Sequence, residues 1–171
     1  MKDRLRLLAA SSSTTVFGVI AGLLATSVSR LTGMETFDYS LYFLPSDPSF
    51  FGILSNNLVV YATTILGFGL VTLANLFLAG IPLGVELVHN DFVWLIIPHG
   101  IFEFPALWFA GAAGLRIPSD LARYLQRETD RVLTPSGIRM VVRYALLSLV
   151  LFGVAGLVET TVTRWLAEWA T

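Results

Sequence analysis

The sequence predicts an all-α fold, a polytopic transmembrane helical bundle of about five spans, and three observations predict it. Of the 171 residues, 55% are hydrophobic and only 13% charged, with a mean hydropathy of +0.73, whereas a soluble domain carries roughly a quarter charged residues. Residues 48–85 carry no charge at all, more than the roughly 20 apolar residues that one bilayer crossing needs. The charges that remain are clustered between long apolar runs. A soluble enzyme is thereby excluded. With 11 Lys+Arg against 12 Asp+Glu and a net charge of -1, nothing in the overall field suits nucleic acid. The absence of cysteine removes disulfides, thiolate metal ligands and Cys nucleophiles together.

The first span runs over about 7–29, uncharged between Arg6 and Arg30 and preceded by Lys2, Arg4 and Arg6. The same pattern also fits a signal peptide, with small residues over Ala21–Ala25. Hydroxyls in the Ser11–Thr15 run are tolerated in lipid by bonding back one turn, and Gly18 with Gly22 forms a GxxxG pair that lets another helix approach. A second span covers about 56–78 and the last about 140–158. Between them, 82–97 and 100–116 are apolar but short, about 25 Å each against a core of roughly 30 Å. They meet at Pro98-His99-Gly100, a helix-breaking tripeptide. The alternative is four spans, with Leu87–Asp91 as a loop and 92–116 as one kinked crossing.

Charge placement favours five. Lys and Arg gather on the cytoplasmic side of short loops, and nine of the 11 lie either before the first span or in Arg116, Arg123, Arg127, Arg131, Arg139 and Arg143. An even number of crossings must separate those groups if they share a side. This places the chain in the cell membrane as a multi-pass protein with a cytoplasmic amino terminus. The 30–55 loop then faces outward, its Phe37, Tyr39, Tyr42, Phe43, Phe50 and Phe51 suiting the headgroup region or a surface for an extracytoplasmic partner. An amphipathic inner helix is expected over about 119–133, with Ser119 as N-cap and Pro135 beyond its end. On it Arg123, Arg127 and Arg131 recur every four residues, a stripe suited to anionic headgroups or to ordinary pairing with Asp120, Glu128 and Asp130.

Ionisable residues within lipid are expensive and mark function by default. The candidates are Glu86, His89, Asp91, His99, Glu103 and Glu159. His99 and Glu103 are one turn apart, as are Glu86 and His89, and these are the chain's two histidines. Glu86, His89, His99 and Glu103 form a donor set suited to zinc or another divalent ion. A His beside a Glu equally suits proton or cation relay, and a structural hydrogen-bonded cluster is the third reading. A hairpin turning at Gly100 leaves the two pairs at different depths, so one joint metal site needs a re-entrant bend or a homodimer. Catalytic patterns are missing: no His-Glu-x-x-His, no Gly-x-Ser-x-Gly elbow and no phosphate-binding Gly loop. The expectation is a non-enzymatic protein.

The segment Pro98-His-Gly-Ile-Phe-Glu-Phe-Pro105, followed by Ala110-Gly-Ala-Ala-Gly-Leu115, resembles the signature of the stage II sporulation protein M family. Asn56-Asn57 and Gly80-Ile-Pro-Leu-Gly84 fit the same pattern, with Ala79-Gly80 standing where members often have Asn-Gly. The motif positions are Pro98, His99, Gly100 and Glu103. The resemblance implies an integral membrane protein of about five spans. In spore formers such proteins work in a membrane complex with wall-degrading partners during engulfment of the forespore, and similar chains occur in organisms that make no spores. The resulting expectation is a membrane scaffold or remodelling component. The alternative is a small transporter or channel using the His/Glu cluster.

Overall fold

The computed structural model describes residues 2–32, 49–89 and 93–170, apart from the side chains of His89, Val93, Ala167 and Ala170. Among these residues the chain is helical throughout: α1 (Lys2–Thr32), α2 (Phe50–Leu66), α3 (Leu70–His89), a 3₁₀ turn (Val93–Ile96), α4 (Ile97–Leu125), α5 (Pro135–Val158), a π-helical turn (Glu159–Thr163) and α6 (Arg164–Ala170). It is a helical membrane bundle: α1, α3, α4 and α5 with its π-turn are each long and apolar enough to cross a bilayer, and α2 is a shorter apolar helix.

The helix boundaries differ from the expected ones in three places. The continuous helix expected over 56–78 is broken, because Phe68 (φ 47°) and Gly69 (φ 89°) adopt left-handed backbone that a right-handed helix cannot continue through. Thr72 closes this turn: its hydroxyl donates to the Thr64 carbonyl (2.8 Å) and accepts the Gly69 N–H (3.3 Å). Residues 82–89 consequently complete α3 instead of opening a separate span over 82–97. Pro98-His99-Gly100 does not break a helix but starts one. Pro98 lies in the first turn of α4, where its missing N–H would have no partner anyway. The third difference is the inner amphipathic helix over 119–133, which is absent. Helix α4 runs through Pro118 to Leu125, with Arg116 and Asp120 paired at 2.7 Å on either side of that proline, and Arg127 leaves helical geometry at φ 60°. The aromatic outer loop falls mostly outside the described residues, which resume at Ser49.

Contacts between the ends set the direction of each helix. Asp3 and Arg123 lie 3.5 Å apart, Gly69 abuts Pro118, and Thr134 and Asp120 meet at 3.5 Å. One end of the bundle therefore gathers the start of α1, the α2–α3 turn, the end of α4 and the start of α5, and with them the two arginine-bearing segments. At the other end, His99 of α4 meets Thr163 beyond α5. The five long helices alternate in direction, so α1 and α3 are parallel while α4 and α5 are antiparallel.

Small residues set the packing. Gly18 and Gly22 on α1 face Gly80 and Gly84 on α3: a Cβ on Gly18 would lie 2.0 Å from the Phe77 carbonyl oxygen, and one on Gly84 would lie 2.1 Å from that of Val19. The two backbones are in direct contact, as association in lipid favours where no hydrophobic drive exists. On the other side of α3, Gly114 of α4 sits as close to the Thr64 carbonyl and Gly111 against Leu76 and Ser11. Leu76, Ala106, Leu107 and Phe152 form one buried cluster, with Ala112, Ala113, Met140 and Tyr144 forming another. Ser148 of α5 donates to the Ala106 carbonyl at 2.7 Å, and Tyr61 of α2 to that of Ala145 at 3.2 Å, which ties α5 to both of its neighbours.

Candidate functional site

A groove of about 270 Å³ lies between α2, α3 and α4. Helix α2 contributes Asn56, Asn57 and Thr63, α3 contributes Asn75 and Glu86, and α4 contributes His99 and Glu103. Asn56 and Thr63 are seven residues apart and so share a face of α2. Asn75 and Glu86 are three turns apart on α3, so the groove runs for about 16 Å at 1.5 Å per residue. Its lining includes no Lys or Arg.

Three of the four residues expected to form a joint site, Glu86, His99 and Glu103, line this groove. They lie near the end of α3 and the start of α4, which run in opposite directions. The side chain of the fourth, His89, lies outside the described residues. Among the described residues no three His, Asp or Glu side chains are close enough to hold one metal ion. The expected four-residue metal set is therefore not assembled by those residues alone.

His99 uses Nδ1 for a 3.2 Å hydrogen bond with the Thr163 hydroxyl, which joins the first turn of α4 to the π-turn following α5. Glu159 opens that turn, four residues before Thr163. Asn75 donates to the Thr63 hydroxyl at 2.9 Å. Sequence reasoning missed Asn75 and Thr163. A primary amide in an otherwise apolar run was the available signal for the first, but nothing local marks Thr163, which is placed by the antiparallel return of α5.

Below Leu107 the groove closes. Ala106, Ala110, Ala112 and Ala113 have no exposed surface, and Gly111 and Gly114 bring α4 against α3 and the end of α2. Toward the α2–α3 turn the polar lining gives way to close packing, of Gly111 against the Leu76 and Ser11 side chains and of Gly114 against the Thr64 carbonyl.

The stripe Arg123, Arg127 and Arg131 is not assembled as a helical face, since α4 ends at Leu125. Arg123 instead pairs with Asp3 (3.5 Å) and Glu128 (3.2 Å), and Arg127 and Arg131 lie in the exposed connection to α5.

The profile of the stage II sporulation protein M family matches residues 11–164, which include every groove residue. Uncharacterized protein MJ0793 of Methanocaldococcus jannaschii is 31% identical over 89% of this chain and 90% of its own length. Uncharacterized protein MJ0706 of the same organism is 33% identical over 46% of this chain and 38% of its own length. No solved structure matches.

Proposed function

Since the chain belongs to the stage II sporulation protein M family, we propose that it is a non-enzymatic, multi-pass membrane scaffold with a cytoplasmic amino terminus, whose groove is a blind docking socket. The observation that carries this reading is the close packing beyond the groove. A conduit needs a polar path through the bundle, whereas here the groove lining on α3 and α4 ends at Asn75 and Leu107, and beyond it Gly111 packs against the Leu76 and Ser11 side chains and Gly114 against the Thr64 carbonyl. The cytoplasmic assignment rests on the positive-inside preference, applied to the end where the start of α1 meets the arginines of α4 and α5.

Proteoliposomes containing the purified chain test this reading. H⁺, Na⁺ and K⁺ fluxes should equal those of empty vesicles. Flux above that level which disappears in Glu103→Gln, with folding retained, would overturn it. A second reading, cation handling in the groove, is favoured by a lining that contains two carboxylates and no Lys or Arg. That reading predicts the flux which the scaffold forbids.

A further inference from the structure

At the arginine-rich end, α5 carries a second feature that the groove does not use. Arg4 of α1 and Ser136, Arg139, Met140, Arg143 and Tyr144 of α5 enclose a recess of about 440 Å³. Arg139 and Arg143 also border an adjoining channel of about 530 Å³. That channel's wall continues along α5 through Ile138, Val142, Leu146, Leu147 and Val150 and is almost wholly apolar.

The three arginines are exposed. Among the described residues none of them pairs with a carboxylate; the ion pairs there involve Arg116, Arg123 and Arg164. The protein contact recorded for them is a 3.4 Å bond from Arg139 Nε to the Pro135 carbonyl. Three guanidiniums lining one recess without counter-charge attract an anion. The apolar strip runs from them along the exposed face of α5. From Arg139 to Val150 the rise along α5 is about 16 Å, comparable with much of one bilayer leaflet.

We propose that this face of α5 is a binding site for an anionic phospholipid. Arg4, Arg139 and Arg143 hold the headgroup phosphate, and the strip from Val142 to Val150 seats an acyl chain. A free phosphate satisfies the arginines but gains nothing from the strip, and a zwitterionic lipid fits the strip but brings no net negative charge. The combination selects a lipid such as phosphatidylglycerol.

The test titrates the full-length chain in neutral detergent with dioleoyl phosphatidylglycerol, dioleoyl phosphatidylcholine or inorganic phosphate, reading retained ligand by native mass spectrometry. Wild type should retain phosphatidylglycerol in preference to phosphatidylcholine. At about fivefold per arginine near a charged surface, R139Q/R143Q should lower the apparent affinity about 25-fold, R139K/R143K should retain most of it, and R164Q at the opposite end should change nothing. Leu146→Gln should weaken lipid binding while leaving phosphate binding unaltered. Equal retention of the two lipids, unchanged binding in R139Q/R143Q, or phosphate displacing phosphatidylglycerol at equal concentration would each overturn the proposal. All of these side chains are exposed, so loss of folding would itself contradict the placement, and circular dichroism reads that directly.

Discussion

Replacing Gly84 by Ala adds one methyl group at the point where α3 lies against α1. Its Cβ would stand 2.1 Å from the Val19 carbonyl oxygen and 2.8 Å from Leu23 N. That is about 1.3 Å inside ordinary contact, and both obstacles are backbone atoms that no rotamer change can move. The helices must separate, giving up the close approach along the Gly18–Gly22 and Gly80–Gly84 faces. Overpacking of this kind costs about 1–3 kcal/mol, and for a chain of this length each kcal/mol lowers Tm by about 2–4 °C. At about 2 kcal/mol, the middle of that range, a fall of about 4–8 °C is expected by thermal unfolding in detergent, followed by tryptophan fluorescence. Gly153→Ala is the matched control, since a Cβ there meets nothing within 4 Å. Removing a helical glycine in open space should leave Tm unchanged or raise it slightly. The same loss in both variants would mean that glycine chemistry, not the α1–α3 crossing, sets the effect, and the packing argument would fail. A Gly18→Ala/Gly80→Ala pair should be less harmful than the sum of its parts, because each Cβ would press on the other's helix and one separation relieves both.

Arg116 and Asp120 form a buried pair, their side chains 9% and 2% exposed. Arg116→Met should cost about 3–5 kcal/mol by stranding a buried carboxylate, and Arg116→Met/Asp120→Leu should recover much of that in chemical denaturation. Ser148→Ala removes the donor to the Ala106 carbonyl and should cost about 0.6–1.7 kcal/mol by the same measurement. Because the chain has no cysteine, any introduced thiol is the sole site of labelling. In intact cells, single cysteines at Arg127 and Thr161 should label from opposite sides. Labelling of both from one side would refute the alternating directions of the five helices.

The sequence reading reached an all-α bundle of about five helices but drew several helix limits in other places, and the cause is physical. Residues 48–85 carry no charge, so neither hydropathy nor polar punctuation distinguishes a turn from a helix within them. Gly67 and Gly69 reverse the chain, whereas Gly80 and Gly84 pack it, and only the backbone reveals which glycine does which. Proline misled in the opposite sense. Pro98 lies in a first turn, where its lost N–H costs nothing, and Pro118 is carried within α4. Charge placement proved more informative than helix breaking: the grouping of Lys2, Arg4 and Arg6 with the later arginines is the grouping of ends that the Asp3–Arg123 contact displays. Of the groove, Glu86, His99 and Glu103 were legible because an ionisable residue in an apolar run stands out. Asn75 and Thr163 became part of the site through the antiparallel return of their helices, which no local pattern encodes.

The groove and the packing use different residues, and that division can be tested. Association of α1 with α3, and of α4 with both α3 and α5, proceeds through glycine, alanine and the Ser148 hydroxyl. If the polar groove residues existed to glue the helices together, replacing them would weaken the bundle as Gly84→Ala does. Asn75 donates to the Thr63 hydroxyl at 2.9 Å and to that of Thr64 at 3.5 Å, and hydrogen bonds within membranes average only about 0.6 kcal/mol each. Glu103→Gln preserves the side chain's size and its capacity for hydrogen bonding while removing its charge. The pair Asn75→Leu/Glu103→Gln should therefore hold Tm within about 3 °C of wild type. A loss comparable to that of Gly84→Ala would show that the groove is structural glue, leaving no reason to assign it a binding role.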